Sequence, residues 1–464
     1  MNYYLAVDIG ASSGRHILSH VEDGKMILEE IYRFENGMTE RDGHKVWDTV
    51  KLFGYIIEGL KKCRELGKIP VSMGIDTWAV DYVLLDENGE ILGDSYAYRD
   101  SRTKGMDEEV YKIIPQSELY ARTGIQKQMF NTIYQLMAVK KFGSEDLEKA
   151  DRLLMIPEYL NYLLTGEKVS EYTNASTTQL VSPITKDWDY DLIDMLGYPR
   201  KIFGELKLPG TKVGRFTDNV KAKVGFDCEV ILPATHDTAS AVIAVPSLDE
   251  DNLYISSGTW SLMGTELKEA QTDPWSEKLN FTNEGGIDYR FRYLKNIMGM
   301  WMINSARKEL APDMSFPEIC ELAEKEDISS IVPANDDRFM APNKMTVEVQ
   351  NACRESGQQV PEGIAQVAKV IYYSLAQCYA ETLREIEEQT GKHFDSIHIV
   401  GGGSNADYLN RLTAKACGRK VYTGPSEGTA IGNIAVQLMA AGEIENLHEA
   451  RKLIFASFDI GEYD

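Results

Sequence analysis

Apolar positions along the chain separate strands from helices. "YYLAVDI" (Tyr3–Ile9) is an apolar run, and the Gly/Ser turn "GASSGR" leads from it into a second run, "HILSHVE". "KMILEEIYRF" continues in the same style, so the spacing predicts an opening β meander. "DTVKLFGYIIEGLKKCREL" changes to the period of an amphipathic helix. "VSMGIDTWAVDYVLLD" returns to strand, breaks, and re-enters strand before the turn signal "ENGE".

From Ser117 to Leu206 the pattern is mainly helical, carried by "SELYARTGI", "TIYQLMAVKKF" and "IPEYLNYLLTG". A second beginning then appears. "DNLYISSGTWSLMGTEL" repeats the opening pattern of β run, Ser/Gly/Thr turn and β run, roughly 245 residues further on. A long helix is expected at Ile364–Gln389, stopped by Gly391. "SIHIVGGGSNADYLNRLTAKAC" reads as buried strand, glycine turn and helix. The repeat divides the chain into halves at 1–245 and 246–464, with the boundary in "VPSLDED".

Length supports that division, since 464 residues are enough for two or three domains. The net charge of −23 argues against nucleic acid and anionic membranes as partners. It leaves open a phosphate held by backbone N–H groups. The six cysteines have no metal-site spacing and fit reduced thiols in the cytoplasm. "MNYYLAVDIG" lacks the features of a signal peptide, and no apolar run is long enough to predict a membrane span.

Five places could carry chemistry. In "VDIGASSGR" an acid, Asp8, ends a strand, and a turn of small residues lets the backbone approach a ligand. "ISSGTWSLMG" is a second such turn, and the pair suits a nucleotide held between two domains. In "IHIVGGGSNA", Gly401, Gly403 and Ala406 match the dinucleotide pattern GxGxxA, but too little chain follows for the rest of that fold; a flat glycine surface for adenosine fits better. In "GIDTWAVDYVLLD" an aromatic flanked by carboxylates (Asp76, Trp78, Asp81) suits a polyhydroxy ligand or, equally, a buried Trp with turn-capping acids. "YRDSRT" reads as a solvated charge cluster. In "LPATHDTASAV", Asp237 and Thr238 can each cap a helix. Alternatively Asp237 is a general base, kept ionised by the helix N-terminus and weak, as a loose phosphoryl transfer allows, with His236 orienting the substrate.

These segments, with "EYTNASTTQL", "NEGG", "LKNIMGMW" and "GPSEGTAIGN", occur in one order, and as a set they resemble the FGGY carbohydrate kinases over nearly the whole chain, Tyr4 to Met439. The resemblance implies an α/β fold of two ribonuclease H-like (actin-like ATPase) domains flanking a catalytic cleft. It implies sugar and phosphate binding in the first domain and nucleotide binding in the second. The implied activity is transfer of the ATP γ-phosphate to the 1-hydroxyl of L-rhamnulose, in L-rhamnose catabolism, with Mg²⁺, by a cytoplasmic monomer or homodimer. Another ketose or polyol, such as L-fuculose or L-xylulose, is the alternative.

By motif, Ala11, Ser12, Ser13, Gly14 and Arg15 would line the phosphates, and Asp8 would hold Mg²⁺ through water. His236, Asp237 and Thr238 would contact the ketose, with Asp237 as base. Asn296 would reach the sugar, Thr259 the phosphates and Gly402 the adenosine. Three positions depart from the family pattern. Ala79 replaces a glycine that contacts the sugar, Asn304 replaces a glutamine that touches ATP, and Thr413 replaces the first cysteine of a Cys-x-x-x-Cys pair that ends at Cys417. An ATP-gated binding protein on the same scaffold is the competing class. It would not need the sugar-side set Trp78, Asp81, His236, Asp237 and Asn296.

Overall fold

The computed structural model describes residues 1–340 and 342–464. The chain forms two compact units that are not continuous in sequence. The first holds Met1–Ala244, Leu267–Tyr293 and Thr429–Ser457; the second holds Val245–Glu266, Leu294–Gly428 and Phe458–Asp464. The chain leaves the first unit at Ala244, next to the expected boundary, but returns to it twice. Nothing in the apolar periodicity marks those returns.

The first unit is built on strands β1 (Tyr3–Ile9), β2 (Ser13–Glu22), β3 (Lys25–Glu35), β4 (Pro70–Thr77), β5 (Lys212–Arg215) and β6 (Glu229–Ile231). Their order across the sheet is β5-β6-β4-β1-β2-β3. β1 pairs antiparallel with β2 and parallel with β4, and β6 continues the parallel part. β1 is buried at every position after Tyr3, as a strand covered on both faces must be. Its Leu5, Val7 and Ile9 pack in one core with Leu52, Ile56 and Leu60 of helix α1 (Thr49–Glu65). A short helix, α2 (Asp237–Ile243), follows β6. The expected helices between Ser117 and Leu206 form a satellite core around Leu119, Ile133, Leu136 and Trp188. Short strand pairs, such as Val181–Ser182 with Asp187–Trp188, interrupt them.

The second unit repeats the plan. Strands β7 (Leu253–Ser257), β8 (Ser261–Leu267), β9 (Phe291–Ile297, of which Phe291–Tyr293 belong to the first unit), β10 (Ser396–Val400), β11 (Lys420–Thr423) and β12 (Gly461–Tyr463) run in the order β9-β8-β7-β10-β11-β12. β7 pairs antiparallel with β8 and parallel with β10, as β1 does with β2 and β4. Helices α3 (Trp301–Leu310), α4 (Gly363–Thr390) and α5 (Asp407–Cys417) belong to this unit. Gly391 ends α4 in the left-handed region, φ 65°, and its N–H reaches back to the Glu387 carbonyl.

Helix α6 (Gly428–Ala440) supplies Asn433 and Gln437 to the first unit. A Cβ on Gly432 would lie 1.8 Å from the backbone oxygen of Ser240 in α2, so only glycine permits this approach. Gly54, exposed within α1, has nothing within 4 Å of such a Cβ. Gly54→Ala is therefore expected to raise stability by about 0.5–1 kcal/mol through helix propensity. Gly432→Ala should lower it by about 1–3 kcal/mol through overpacking. Thermal unfolding of the two variants checks both signs.

Candidate active site

Strand register puts two acids side by side. β1 and β4 are parallel neighbours with Asp8 opposite Asp76. β2 turns back so that Arg15 stands opposite Asp8. The Arg15 Nε and Nη2 groups donate to Asp8 Oδ2 at 3.0 and 2.9 Å. The segment after β6 then runs along the end of β4, where the Thr77 N–H donates to the Thr235 carbonyl at 3.0 Å and Thr77 bridges to His236. That path delivers a third carboxylate, Asp237.

The three acids repel one another. Asp76 is fully buried, its Oδ2 accepts from Asn433 Nδ2 at 2.6 Å, and its Oδ1 has no partner among the described residues. Burial first, and then the charge of Asp8, hold its carboxyl well above the ordinary range. Asp237 keeps 32% of its side chain exposed. Desolvation and then the charge of Asp8 push it up to about 7.

Two expectations for Asp237 are corrected here. The N-cap of α2 is His236, with Asp237 as the first helical residue. Its carboxyl is also raised rather than held low, because burial and a neighbouring negative charge outweigh the field of a helix of seven residues. Thr238 holds the carboxylate, donating to Asp237 Oδ1 from its backbone N–H at 2.5 Å and its hydroxyl at 3.2 Å. A base tuned near neutrality is better matched to proton abstraction than a weak one.

His236 is 7% exposed and sits with Nε2 3.4 Å from Asp237 Oδ1. Its other nitrogen, Nδ1, is 3.0 Å from Arg292 Nη2, and Arg292 in turn pairs with Glu284 at 3.0 Å. Thr235, just ahead of His236, is fixed by the buried Glu171 carboxylate, to which it donates from N at 3.1 Å and Oγ1 at 2.7 Å. Glu171 and Glu284 lie in the quoted segments "EYTNASTTQL" and "NEGG", and Asn433 in "GPSEGTAIGN", yet composition and spacing assign them no role. Only the tertiary contacts do. Arg292 carries no local sequence signal.

The aromatic segment resolves differently from its sugar-binding reading. Asp81 is 1% exposed and accepts from Trp47 Nε1, Trp78 Nε1, the Tyr98 N–H and Gln135 Nε2. No hydroxyl of a ligand is needed to satisfy it. Burial still moves it up to about 6 against those four donors. Trp78 already packs against Trp47 in a tilted pair, with ring centroids 4.0 Å apart. Ala79 is half-buried at the bend that follows, and Val80 adopts φ 69°, a strained value for a β-branched residue. Thr132 and Gln135 side chains hold the Val80 carbonyl in that bend at 2.7 and 3.2 Å. "YRDSRT" is not a solvated cluster either. Asp100 is 5% exposed and accepts from the Lys45 and Arg102 N–H groups, and Arg102 lies over the Tyr96 ring.

At the β1–β2 hairpin, Ala11 and Ser13 are half-buried and Ser12 is exposed. Asn36 braces the loop by donating from its side chain to the Gly10 carbonyl at 2.8 Å. Gly14 has a packing reason to be glycine, because a Cβ there would strike the Phe34 ring at 2.1 Å. Arg15, expected among the phosphate-lining residues, donates to Asp8 from Nε and Nη2.

In the second unit, Thr259 is exposed at the β7–β8 hairpin tip. Its carbonyl accepts from the Trp301 N–H at 2.9 Å at the start of α3, the helix that carries Asn304. The triple glycine lies against the same hairpin. Cβ atoms on Gly401 and Gly403 would meet Ser257 at 2.9 and 1.9 Å, so both are required by packing. Gly402 is exposed, with nothing within 4 Å of a Cβ, so the protein interior gives it no reason to be glycine. Asn296, in β9, keeps a buried Oδ1 that is without a partner among the described residues. All six cysteines are free. No helix among the described residues is long and apolar enough to cross a membrane.

Both units thus carry a sheet led by a β-hairpin in the same strand order, and the first adds carboxylates at its strand ends. The N-terminal domain of the FGGY family of carbohydrate kinases matches residues 3–244, and its C-terminal domain matches residues 253–441. The chain belongs to the FGGY family of carbohydrate kinases. It is 51% identical to a rhamnulokinase of Halalkalibacterium halodurans, covering 100% of this chain and 99% of that protein. It is 47% identical to a rhamnulokinase of Oceanobacillus iheyensis, covering 99% and 97%. Among solved structures, a ligand-bound xylulose kinase from Lactobacillus acidophilus superposes with a TM-score of 0.82 at 18% identity, covering 98% of this chain and 92% of that one. At that identity the likeness speaks for the fold.

The raised Asp237 carboxyl has a cost in stability whose sign is fixed. A carboxyl lifted from 3.8 to about 7 stabilises the fold in its protonated form, fully below the ordinary value, and that contribution is lost as pH rises through about 7. Asp237→Asn is a neutral mimic. It should lower kcat by about 10²–10⁴-fold and yet raise Tm near pH 8, the gain shrinking toward pH 5. Calorimetry at the two pH values checks this; a Tm difference independent of pH contradicts it.

Proposed function

We infer that this kinase transfers the γ-phosphate of ATP to the 1-hydroxyl of L-rhamnulose, with Mg²⁺. The observation that carries the reading is Asp237, a partly exposed carboxylate tuned to about 7 beside Asp8. Its relatives named rhamnulokinase, at 51% and 47% identity over essentially the full chain, support the choice of sugar.

In this reading Asp237 accepts the proton of the 1-hydroxyl as the oxygen attacks phosphorus, and Thr238 keeps the accepting oxygen aimed. His236 contacts the ketose beside it, and Asn296 offers its unpaired Oδ1 to a sugar hydroxyl. Ala79, on the strained bend, shapes the sugar side. The hairpin Ala11–Ser13 and Thr259 bind phosphates, while Asn304 and Gly402 receive the rest of the nucleotide. Gly402 fits that role because its exposed, unhindered backbone lets a flat base approach.

Mg²⁺ fits the acidic end of β1 and β4. The donors there are hard carboxylate oxygens, Asp76 Oδ1 lacks a partner, and the two acids have Arg15 as a compensating cation. Asp8, with one oxygen outside the Arg15 bond, would hold the ion through water. When bound, the ion neutralises charge on the transferring phosphate.

A coupled ADP-release assay over L-rhamnulose, L-fuculose and L-xylulose tests the substrate. L-Rhamnulose is expected to have the highest kcat/KM by at least about tenfold, the discrimination one apolar or hydroxyl contact affords. Equal or better turnover of either competitor contradicts the assignment.

A further inference from the structure

Arg292 has 1% of its side chain exposed, and its contacts are directional. Its Nε donates to the Gly285 carbonyl at 3.0 Å, and Nη2 lies 3.0 Å from both Glu284 Oε2 and His236 Nδ1. A guanidinium has donors only and stays charged. Nδ1 also lies 3.4 Å from Glu284 Oε2, but the guanidinium, at 3.0 Å, is the nearer group and calls for a lone pair on that nitrogen. In a neutral imidazole the single proton then resides on Nε2, the nitrogen 3.4 Å from Asp237 Oδ1.

We propose that Arg292, braced by Glu284, is a positioning residue that fixes His236 as its Nε2–H tautomer, so that a hydrogen-bond donor stands beside the accepting carboxylate of Asp237. Burial and then the Arg292 charge lower the His236 pKa well below the ordinary value, so the ring is neutral at working pH. The groups that face the ring are Asp237 from α2, Glu284 from the strand Thr282–Gly285 and Arg292 from β9, with Thr77 of β4 bridging to His236. The pair then reads two neighbouring oxygens of a substrate. Asp237 takes the proton of the reacting hydroxyl, and Nε2–H donates to an acceptor oxygen next to it. On the proposed ketose substrate, the acceptor is the carbonyl-derived oxygen adjacent to the 1-hydroxyl.

The tautomer is measurable without substrate, so its failure is distinguishable from failure of the sugar assignment. The protein has seven histidines, and two-bond ¹H–¹⁵N correlation of the ¹⁵N-histidine-labelled chain, with His236 assigned by its loss in His236→Gln, reads each ring nitrogen. A bare Nδ1 and a protonated Nε2 between about pH 6 and about pH 8 are expected. A proton on Nδ1, or a mixture of tautomers, overturns the proposal. The pair Arg292→Met with Glu284→Gln removes the ion pair without stranding a buried charge. It should mix the tautomers and lower kcat by about 10–100-fold, the usual effect of losing a group that orients a catalytic ligand. His236→Gln, whose amide N–H can replace Nε2–H, should retain more kcat than His236→Asn. A folded double variant that keeps the Nε2–H tautomer and full kcat overturns the role of Arg292. If that variant does not fold, the tautomer of the native protein decides.

Discussion

Mutual repulsion among three carboxylates is the constraint on which the rest of the first unit depends. Asp8 and Asp76 face each other across parallel strands, and Asp237 is added from the segment after β6. Like charges so placed are unstable unless neighbours neutralise, hydrogen-bond or protonate them. Each neighbour found there does one of these things. Arg15 clamps Asp8, Asn433 donates to Asp76 and Thr238 donates to Asp237. The residual imbalance appears as raised pKa values at Asp76 and Asp237. It also gives Asp237 a proton affinity near neutrality.

Holding such a cluster takes scaffolding from distant parts of the chain. Asn433 reaches Asp76 from α6, and Gln437 links Asn433 Oδ1 to the Leu5 carbonyl at the base of β1. Glu171 pins Thr235, and Arg292 meets His236. Asn433 and Gln437 lie more than three hundred residues from the strands they brace, in a segment that rejoins the first unit near the end of the chain. The second unit uses the same strand order for different chemistry. Where the first unit has acids at its strand ends, the second has Ser257 packed against Gly401 and Gly403, leaving Gly402 open. One strand order thus ends in carboxylates in one copy and in a packed glycine turn in the other.

Much of this was legible in the sequence. The opening meander, the repeated hairpin and the long helix ending at Gly391 follow from apolar period and glycine position, since local sterics decide them. The three-glycine segment was readable as strand, turn and helix, although which of its glycines are dictated by packing was not. Reading Asp237 as a cap, or as a base kept ionised by the helix, failed because its pKa is set by burial and by Asp8, which is far away in sequence. Asp81 and Trp78 looked ligand-facing because acids beside an aromatic suit sugars. Trp47 and Gln135, neither of them near in sequence, absorb both. Arg292 and Glu284 were invisible as functional groups, because an ion pair acquires meaning only from what its buried partner touches.

The central claim is that Asp8 and burial together set the proton affinity of Asp237. A ¹³C NMR titration of the Asp237 carboxyl, in the native chain and in Asp8→Asn, tests it most directly. The native value should lie near 7. In the variant it should fall but stay above the ordinary aspartate range, because burial is the larger cause. A native Asp237 titrating at about 4, or one unmoved by Asp8→Asn, would contradict the account.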